Sequence, residues 1–341
     1  MKDSALQAIY RELENSEGST WWLVDEHLQT PLPRASADCP VWTNRCDSAA
    51  QLQQAGFIVT LNDFDLPQAS VDRVLYRVSK EKLLVHYLIN QSLAHLQIGG
   101  VLWLAGKKNE GLKTYADKAA KLVGGKAEIK KLDGEAYLAR IEKYAEPSSN
   151  LPDGNYPQLQ QIADDPVLYS KPGIFGWQKI DRGSALLIEQ LPAFLQGLSR
   201  KPQTLLDLGC GYGYLSVMAA KALPEADYIL TDNNATALLA AEKNCAEHTI
   251  RACCVLADCA SGITEKVDVV LCNPPFHQGF SVDGDLTDRF IAAAKQRLKP
   301  GGQALFVVNQ FIPLERKAQG IFASSERLYE GEGFHIIQLT G

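Results

Sequence analysis

Apolar residues in the second half of the chain alternate between two patterns. Short runs rich in aliphatic and β-branched residues read as strands: TLLDLG (204–209), DYILTD (227–232), RACCVLAD (251–258), VDVVLC (267–272), QALFVVN (303–309) and FHIIQLT (334–340). Between them, residues 184–198, 214–223, 235–248 and 285–298 read as helices. This alternation predicts an α/β fold with a parallel sheet and helices on both faces. One strand ends abruptly, because VDVVLC runs straight into Asn273-Pro274-Pro275-Phe276. Neither proline has an N–H for a sheet ladder, and the residue before a proline is held extended. The chain therefore makes a rigid bend there, with an amide and an aromatic ring at its lip.

The first half repeats part of this pattern. VDRVLYRVSKEK (71–82) lines up with VDVVLCNPPFHQ (267–278), and glycines follow in LQIGGVLWLAG and LKPGGQALFVV, at Gly99 and Gly301. Two matched anchors at similar spacing point to an internal duplication; the alternative is coincidence between two α/β domains. The first copy carries Tyr-Arg-Val-Ser where the second has Asn-Pro-Pro-Phe, and no glycine-rich loop lies upstream of it. It has the scaffold without the site. The expected organisation is a domain over 1–143, a linker over 144–173 with five prolines, and a domain over 174–341. Tyr156 and Tyr169 are the residues able to pin the linker to a surface.

Composition narrows the class. With 341 residues, 46% apolar and 22% charged, the chain is long enough for two cores and too apolar to be largely disordered. It shows no signal peptide and no apolar stretch of membrane-spanning length, which predicts a cytoplasmic protein with no membrane partner. Its eight cysteines include no C-x-x-C pair and read as buried free thiols, so no metal is expected. The net charge of −6 argues against a general nucleic-acid binder. It is unevenly spread, however. Residues 107–131 hold eight lysines, including Lys107, Lys108, Lys130 and Lys131, against three acids. That window is either a phosphate-binding face or a solvated helix face.

The chemistry gathers around Asp207-Leu208-Gly209-Cys210-Gly211-Tyr212-Gly213, which follows a strand and opens a helix. Glycines there let the backbone turn tightly and approach a ligand. Dinucleotide sites use similar loops, but here the third glycine comes one residue early for G-x-G-x-x-G. Asp207 at the strand end would repel a pyrophosphate yet could hold a cationic amino-acid moiety, so the expected ligand is a nucleoside bearing an amino acid. Asp232, ending the next strand, is placed to accept from ribose hydroxyls; its bland alternative is a helix N-cap. Asp258 serves either as acceptor for an adenine amine or as a turn residue.

Together DLGCGYG, Asp232, Asp258 and NPPF resemble the class I S-adenosylmethionine-dependent methyltransferases, over residues 204–341. The resemblance implies a seven-stranded sheet whose last strand, FHIIQLT, is inserted antiparallel. It also implies S-adenosylmethionine held by Asp207, Gly209, Gly211, Gly213, Asp232 and Asp258. Such tetrapeptides mark enzymes that methylate a planar nitrogen. Asn273 and the Pro274 carbonyl would accept from the amine, and Phe276 would stack on the target. Pro275 and His277 would touch substrate, His277 lying on a glycine-bearing lid, HQGFSVDGDL.

The segment KPGIFGWQKIDRGSALLIEQLP (171–192), with the glycine loop and CNPPFH, is similar to the bacterial ribosomal RNA guanine-N2 methyltransferases. That family also carries a degenerate N-terminal copy of the methyltransferase fold. VVNQFIPLERK (307–317) looks closer to the small-subunit, 16S rRNA member. The chain departs from the family at residues 176–180, while Asp181 and Gly183 are kept. The resemblance implies two tandem Rossmann-like domains, the first degenerate and serving for RNA docking or folding support, with the 107–131 lysines as its candidate RNA contacts. The implied activity is methylation of a guanine N2 amine in rRNA, within the small ribosomal subunit, by a monomer. The competing readings are a glutamine-amide methyltransferase acting on a release factor, an adenine-N6 nucleic-acid methyltransferase and a non-catalytic donor-binding protein.

Overall fold

The computed structural model describes residues 3–15, 18–275 and 284–341, the side chains of residues 284 and 285 excepted. The chain forms two units, Met1–Gln158 and Leu159–Gly341. Of the segment 144–173, residues through Gln158 cluster with the first unit, where buried Tyr156 stacks on Tyr87 at 4.6 Å. The remainder belongs to the second unit and includes a hairpin.

The first unit runs α1 (Ser4–Glu14), β1 (Thr20–Val24), β2 (Val41–Thr43), α2 (Cys46–Gln54), β3 (Val59–Leu61) and β4 (Val71–Arg77). It continues with α3 (Lys82–His95), β5 (Leu96–Lys107), α4 (Leu112–Leu122), β6 (Glu128–Lys131) and β7 (Ala136–Glu142). The second unit opens with the hairpin β8 (Gln160–Asp164) and β9 (Val167–Ser170), then α5 (Arg182–Gln196), β10 (Thr204–Leu208), α6 (Tyr214–Ala222) and β11 (Asp227–Asp232). There follow α7 (Ala235–Glu247), β12 (Ala252–Leu256), β13 (Val267–Cys272), α8 (Gly284–Arg297) and β14 (Leu298–Asn309). Last come α9 (Leu314–Ala318), β15 (Ser324–Gly331) and β16 (Phe334–Thr340).

The two large sheets have the same strand order. It is β3-β2-β1-β4-β5-β7-β6 in the first unit and β12-β11-β10-β13-β14-β16-β15 in the second. In each, the penultimate strand in that order, β7 or β16, pairs antiparallel with both neighbours. FHIIQLT is that inserted strand, as the sequence led one to expect.

The apolar runs follow from burial on both faces. Along β13, Val267, Val270 and Cys272 join one core cluster while Val269 and Leu271 join another. A strand covered on both sides has no position where a polar residue is free, so alternation disappears. Asp268 is the exception. It accepts from the backbone N–H of Gln203 and Thr204, from the Thr204 hydroxyl and from Lys299, all within 3.1 Å.

The duplication extends to this detail. Asp72, at the matching position of β4, accepts from the Ser19 N–H and hydroxyl at 2.7 Å and from Gln97. Both copies then bulge at the same place, between Val71 and Arg73 and between Val267 and Val269. A side chain on Gly100 or Gly302 would meet two backbone carbonyl oxygens at 2.9 or 3.0 Å, which explains why both bulges need glycine.

Candidate functional site

The carboxyl ends of β10, β11, β12 and β13 carry the donor-site and Asn-Pro-Pro residues singled out from sequence. After β10 the chain turns through Gly209, Gly211 and Gly213, at φ of 76°, 54° and 84°, before α6 begins. A Cβ on Gly209 would touch the Phe290 ring at 3.0 Å, whereas one on Gly211 would meet nothing within 4 Å. The loop is tied to β11: the Gly209 and Cys210 N–H groups donate to the Thr231 carbonyl at 2.8 and 3.0 Å. The Gly211 N–H donates to Asp232 Oδ2 at 2.9 Å, and the Asn234 N–H donates to Asp232 Oδ1 at 2.9 Å. The N-cap of α7 is Asn234, which accepts from the Thr236 N–H, so Asp232 does not fill the capping role.

Asp207 is almost fully buried. Its Oδ2 accepts from the Ser216 N–H and hydroxyl, at 3.1 and 2.7 Å. Its Oδ1 is buried with no hydrogen-bond partner among the described residues. Burial pushes this carboxyl up to about 7; Asp232 adds to the rise and the Ser216 hydrogen bonds oppose it. A buried acceptor of this kind is satisfied by an incoming cation, and an ammonium group beside the glycine loop fits it. Asp258 opens a short turn after β12 and is paired with Arg289 of α8.

At the end of β13, Asn273 reaches back across the fold. Its Nδ2 donates to Asp181 Oδ2 at 2.9 Å and to Ser184 Oγ at 2.8 Å. Asp181 also caps α5, accepting from the Ser184 N–H at 2.9 Å. Gly183 has no room for a side chain, because a Cβ would meet Phe334 at 3.0 Å and Asp181 Oδ2 at 3.1 Å. Pro274 is buried and Pro275 exposed, while Phe276 and His277 lie outside the described residues. Since Leu208 pairs with Cys272, the glycine loop and the Asn-Pro-Pro bend leave adjacent strands at the same level.

Register shows how the first copy differs. Trp22 pairs with Leu75 as Asp207 pairs with Leu271, so a fully buried indole stands where the second unit has its acid. By the same alignment Thr43 replaces Asp232, and Arg77 replaces Asn273. The alignment of 71–82 with 267–278 stands, but the residues it sets against Asn-Pro-Pro-Phe are Arg-Val-Ser-Lys (77–80), not Tyr-Arg-Val-Ser. Arg77 is buried between Asp3 at 2.9 Å and Glu110 at 2.6 Å.

Four lysines of the window lie at one end of the first sheet, while Lys113, Lys118 and Lys121 belong to α4. Lys107 pairs across β7 with Ala136, and Lys131 pairs with the adjacent Tyr137. Lys107, Lys108, Lys130 and Lys131 are all exposed there. Among the described residues no group of three or more His, Cys, Asp or Glu is placed to hold a metal, and no helix is long and apolar enough to cross a membrane.

Three features escaped the sequence. Asn244, fully buried in α7, donates to the Tyr212 carbonyl at 2.7 Å and exchanges two hydrogen bonds with the Tyr169 backbone, locking the glycine loop to β9. Its only signal was an amide on the apolar side of a helix. Ser184 and Ser216 act through pairs of hydrogen bonds that no spacing reveals. Phe311 is 79% exposed although its turn is fixed, with its N–H on Asn309 Oδ1 at 3.1 Å. With Pro313, Arg316 and Arg327 it lines an open depression of about 450 Å³.

The methyltransferase small domain family matches residues 166–338, and the methyltransferase small domain N-terminal family matches residues 7–136. A protein named ribosomal RNA small subunit methyltransferase C from Pseudomonas aeruginosa (strain UCBPP-PA14) is 29% identical over 316 residues, covering 91% of this chain and 90% of its own. Its namesake from Pseudomonas syringae pv. syringae (strain B728a) is 28% identical over 342 residues, covering 98% of both chains. Among solved structures, the T. thermophilus 16S rRNA N2 G1207 methyltransferase (RsmC), in complex with AdoMet and guanosine, matches with a TM-score of 0.80. The match covers 98% of this chain and 91% of that one at 21% identity, a likeness of fold.

Proposed function

The chain belongs to the methyltransferase small domain family, and from that premise we propose that it methylates the exocyclic N2 amine of a guanine in 16S rRNA, using S-adenosylmethionine. One observation carries the chemistry: the Asn273 amide has its NH₂ face occupied by Asp181 and Ser184, which leaves Oδ1 as an acceptor at the end of β13, next to the strand that leads into the glycine loop. An amine attached to a ring has its lone pair drawn into the ring and is a poor nucleophile. Two acceptors on its hydrogens, Asn273 Oδ1 and the Pro274 carbonyl, hold it in line and favour the pyramidal geometry of the transition state.

S-adenosylmethionine, when bound, supplies a methyl group made electrophilic by its sulfonium. Asp207 Oδ1 would take the ammonium of its amino-acid end, which would satisfy a buried acceptor that has no hydrogen-bond partner among the described residues. Gly209, Gly211 and Gly213 admit the ligand close to the backbone, and Asp232 and Asp258 accept from its ribose and base. Phe276 stacks on the flipped guanine, and Pro275 and His277 complete the substrate side.

The rRNA assignment leans on the naming of the relatives, whose similarity runs over nearly the whole chain. Two surface features agree with it: the exposed lysines at the sheet end of the first unit, and Phe311, just after β14, with Arg316 of α9. We place the enzyme in the cytoplasm, acting as a monomer on the small subunit. Nucleoside digestion of methylated 16S rRNA tests the chemistry. N2-methylguanosine is the expected product, and N6-methyladenosine would replace the substrate base.

A further inference from the structure

We propose that Asp181, with Ser184, is a positioning residue for methyl transfer: its charge orients and polarises the Asn273 amide that receives the amine. The inference rests on the reading of Asn273 as the acceptor for the target nitrogen.

A carboxylate oxygen can only accept, so Asp181 Oδ2 at 2.9 Å fixes which end of the Asn273 amide is NH₂. Ser184 Oγ at 2.8 Å takes the second N–H. With both donors engaged, the flipped amide is excluded, because it would set Asn273 Oδ1 against the carboxylate. The site therefore presents an acceptor to substrate and selects groups that carry N–H.

Asp181 is itself held. Its Oδ2 caps α5 through the Ser184 N–H at 2.9 Å, and Gly183 lets the helix start approach that oxygen closely. The four residues Asp181 to Ser184 thus anchor an amide 92 residues beyond Asp181 in the chain. Such a rigid support is what a catalytic acceptor needs, since a small misplacement costs rate steeply.

The charge has a second consequence. During transfer the amine lone pair forms a bond to the methyl carbon while the carbon–sulfur bond breaks and its electron pair stays on sulfur. The nitrogen becomes positive and afterwards sheds one proton to water. Negative charge behind the amide pushes electron density toward Oδ1, where it meets that developing positive charge. Charge-assisted hydrogen bonds are roughly twice as strong as neutral ones, and the effect is largest where charge changes most, in the transition state.

The test compares the full chain with Asp181→Asn and Ser184→Ala, and combines each with Asn273→Ala. Asp181→Asn keeps an acceptor for the cap and for Nδ2 but removes the charge. Expected is a fall in kcat of about tenfold or more, with the rRNA KM and the S-adenosylmethionine Kd within about twofold of wild type. In the Asn273→Ala background neither change should lower kcat further, because the group they act through is gone. An Asp181→Asn enzyme with wild-type kcat, or losses that multiply in the double variants, would overturn the proposal. Should Asp181→Asn fail to fold, Ser184→Ala carries the same non-additivity test. Failure of the underlying substrate reading looks different: the wild type itself would then transfer no methyl to rRNA.

Discussion

Asp207 is the residue whose physics is most exposed to test. Free aspartate titrates near 3.8, and burial moves this one to about 7. The folded state therefore binds the proton more tightly than the unfolded chain does. The stability this contributes is fully present below 3.8 and is lost as pH rises through about 7. Donor binding should run the opposite way, because the ammonium prefers the ionised carboxyl. Calorimetric titration of S-adenosylmethionine should show affinity rising by up to about tenfold per unit of pH below 7 and levelling above it. Asp207→Asn should weaken binding and flatten that slope; an unchanged slope would detach Asp207 from the donor. Asp207 and the glycines were legible because they are neighbours in sequence at a strand end. Asn273's partners were not, since Asp181 lies 92 residues away and one hydrogen bond leaves no periodicity. Asn244, 75 residues from Tyr169, was hidden for the same reason.

At the scale of elements, strands buried on both faces announced themselves. VDVVLC has no exposed position, and its apolar run is the direct trace of that burial. Leu271→Ala should cost about 2–5 kcal/mol in chemical denaturation, since a fully packed site relaxes little into the cavity. An effect below about 1 kcal/mol would mean that the layer is looser than described. The edge strand β15, SSERLYEG, went unseen because its residues are mostly exposed. Pairing with β16 and the Arg327 ion pair to Glu315 at 2.6 Å define it, and neither is a local property of its sequence. The β14 end carries a further expectation. Phe311 is exposed on a fixed turn, so Phe311→Ala should leave stability and donor affinity unchanged while raising the rRNA KM several-fold. Unchanged KM would assign Phe311 no part in binding rRNA.

The whole molecule is one sheet plan used twice, with chemistry kept in the second copy. Duplication was legible from two anchors, Val71 with Gly99 and Val267 with Gly301. What fills the emptied places was only partly legible: the alignment sets Arg77 against Asn273, but Trp22 in the place of Asp207 depends on strand register. Trp22 fills the place of the acid, and Arg77 closes the place of the amide by pairing with Asp3 and Glu110. Arg77→Met would leave two acids unpaired and should destabilise by about 3–5 kcal/mol. Calorimetry should find one donor site per chain; two would contradict the erased first site. The lysines at the first sheet's end predict that Lys130→Glu with Lys131→Glu weakens rRNA binding and its salt dependence without touching donor affinity. The central claim, that Asn273 presents an rRNA amine to the methyl donor, is tested most directly by labelled methyl transfer to purified small subunits, comparing wild type with Asn273→Ala. The account predicts label in 16S rRNA, recovered as N2-methylguanosine and lost by at least about a hundredfold in the variant. Label confined to protein, or an Asn273→Ala enzyme of undiminished rate, would contradict it.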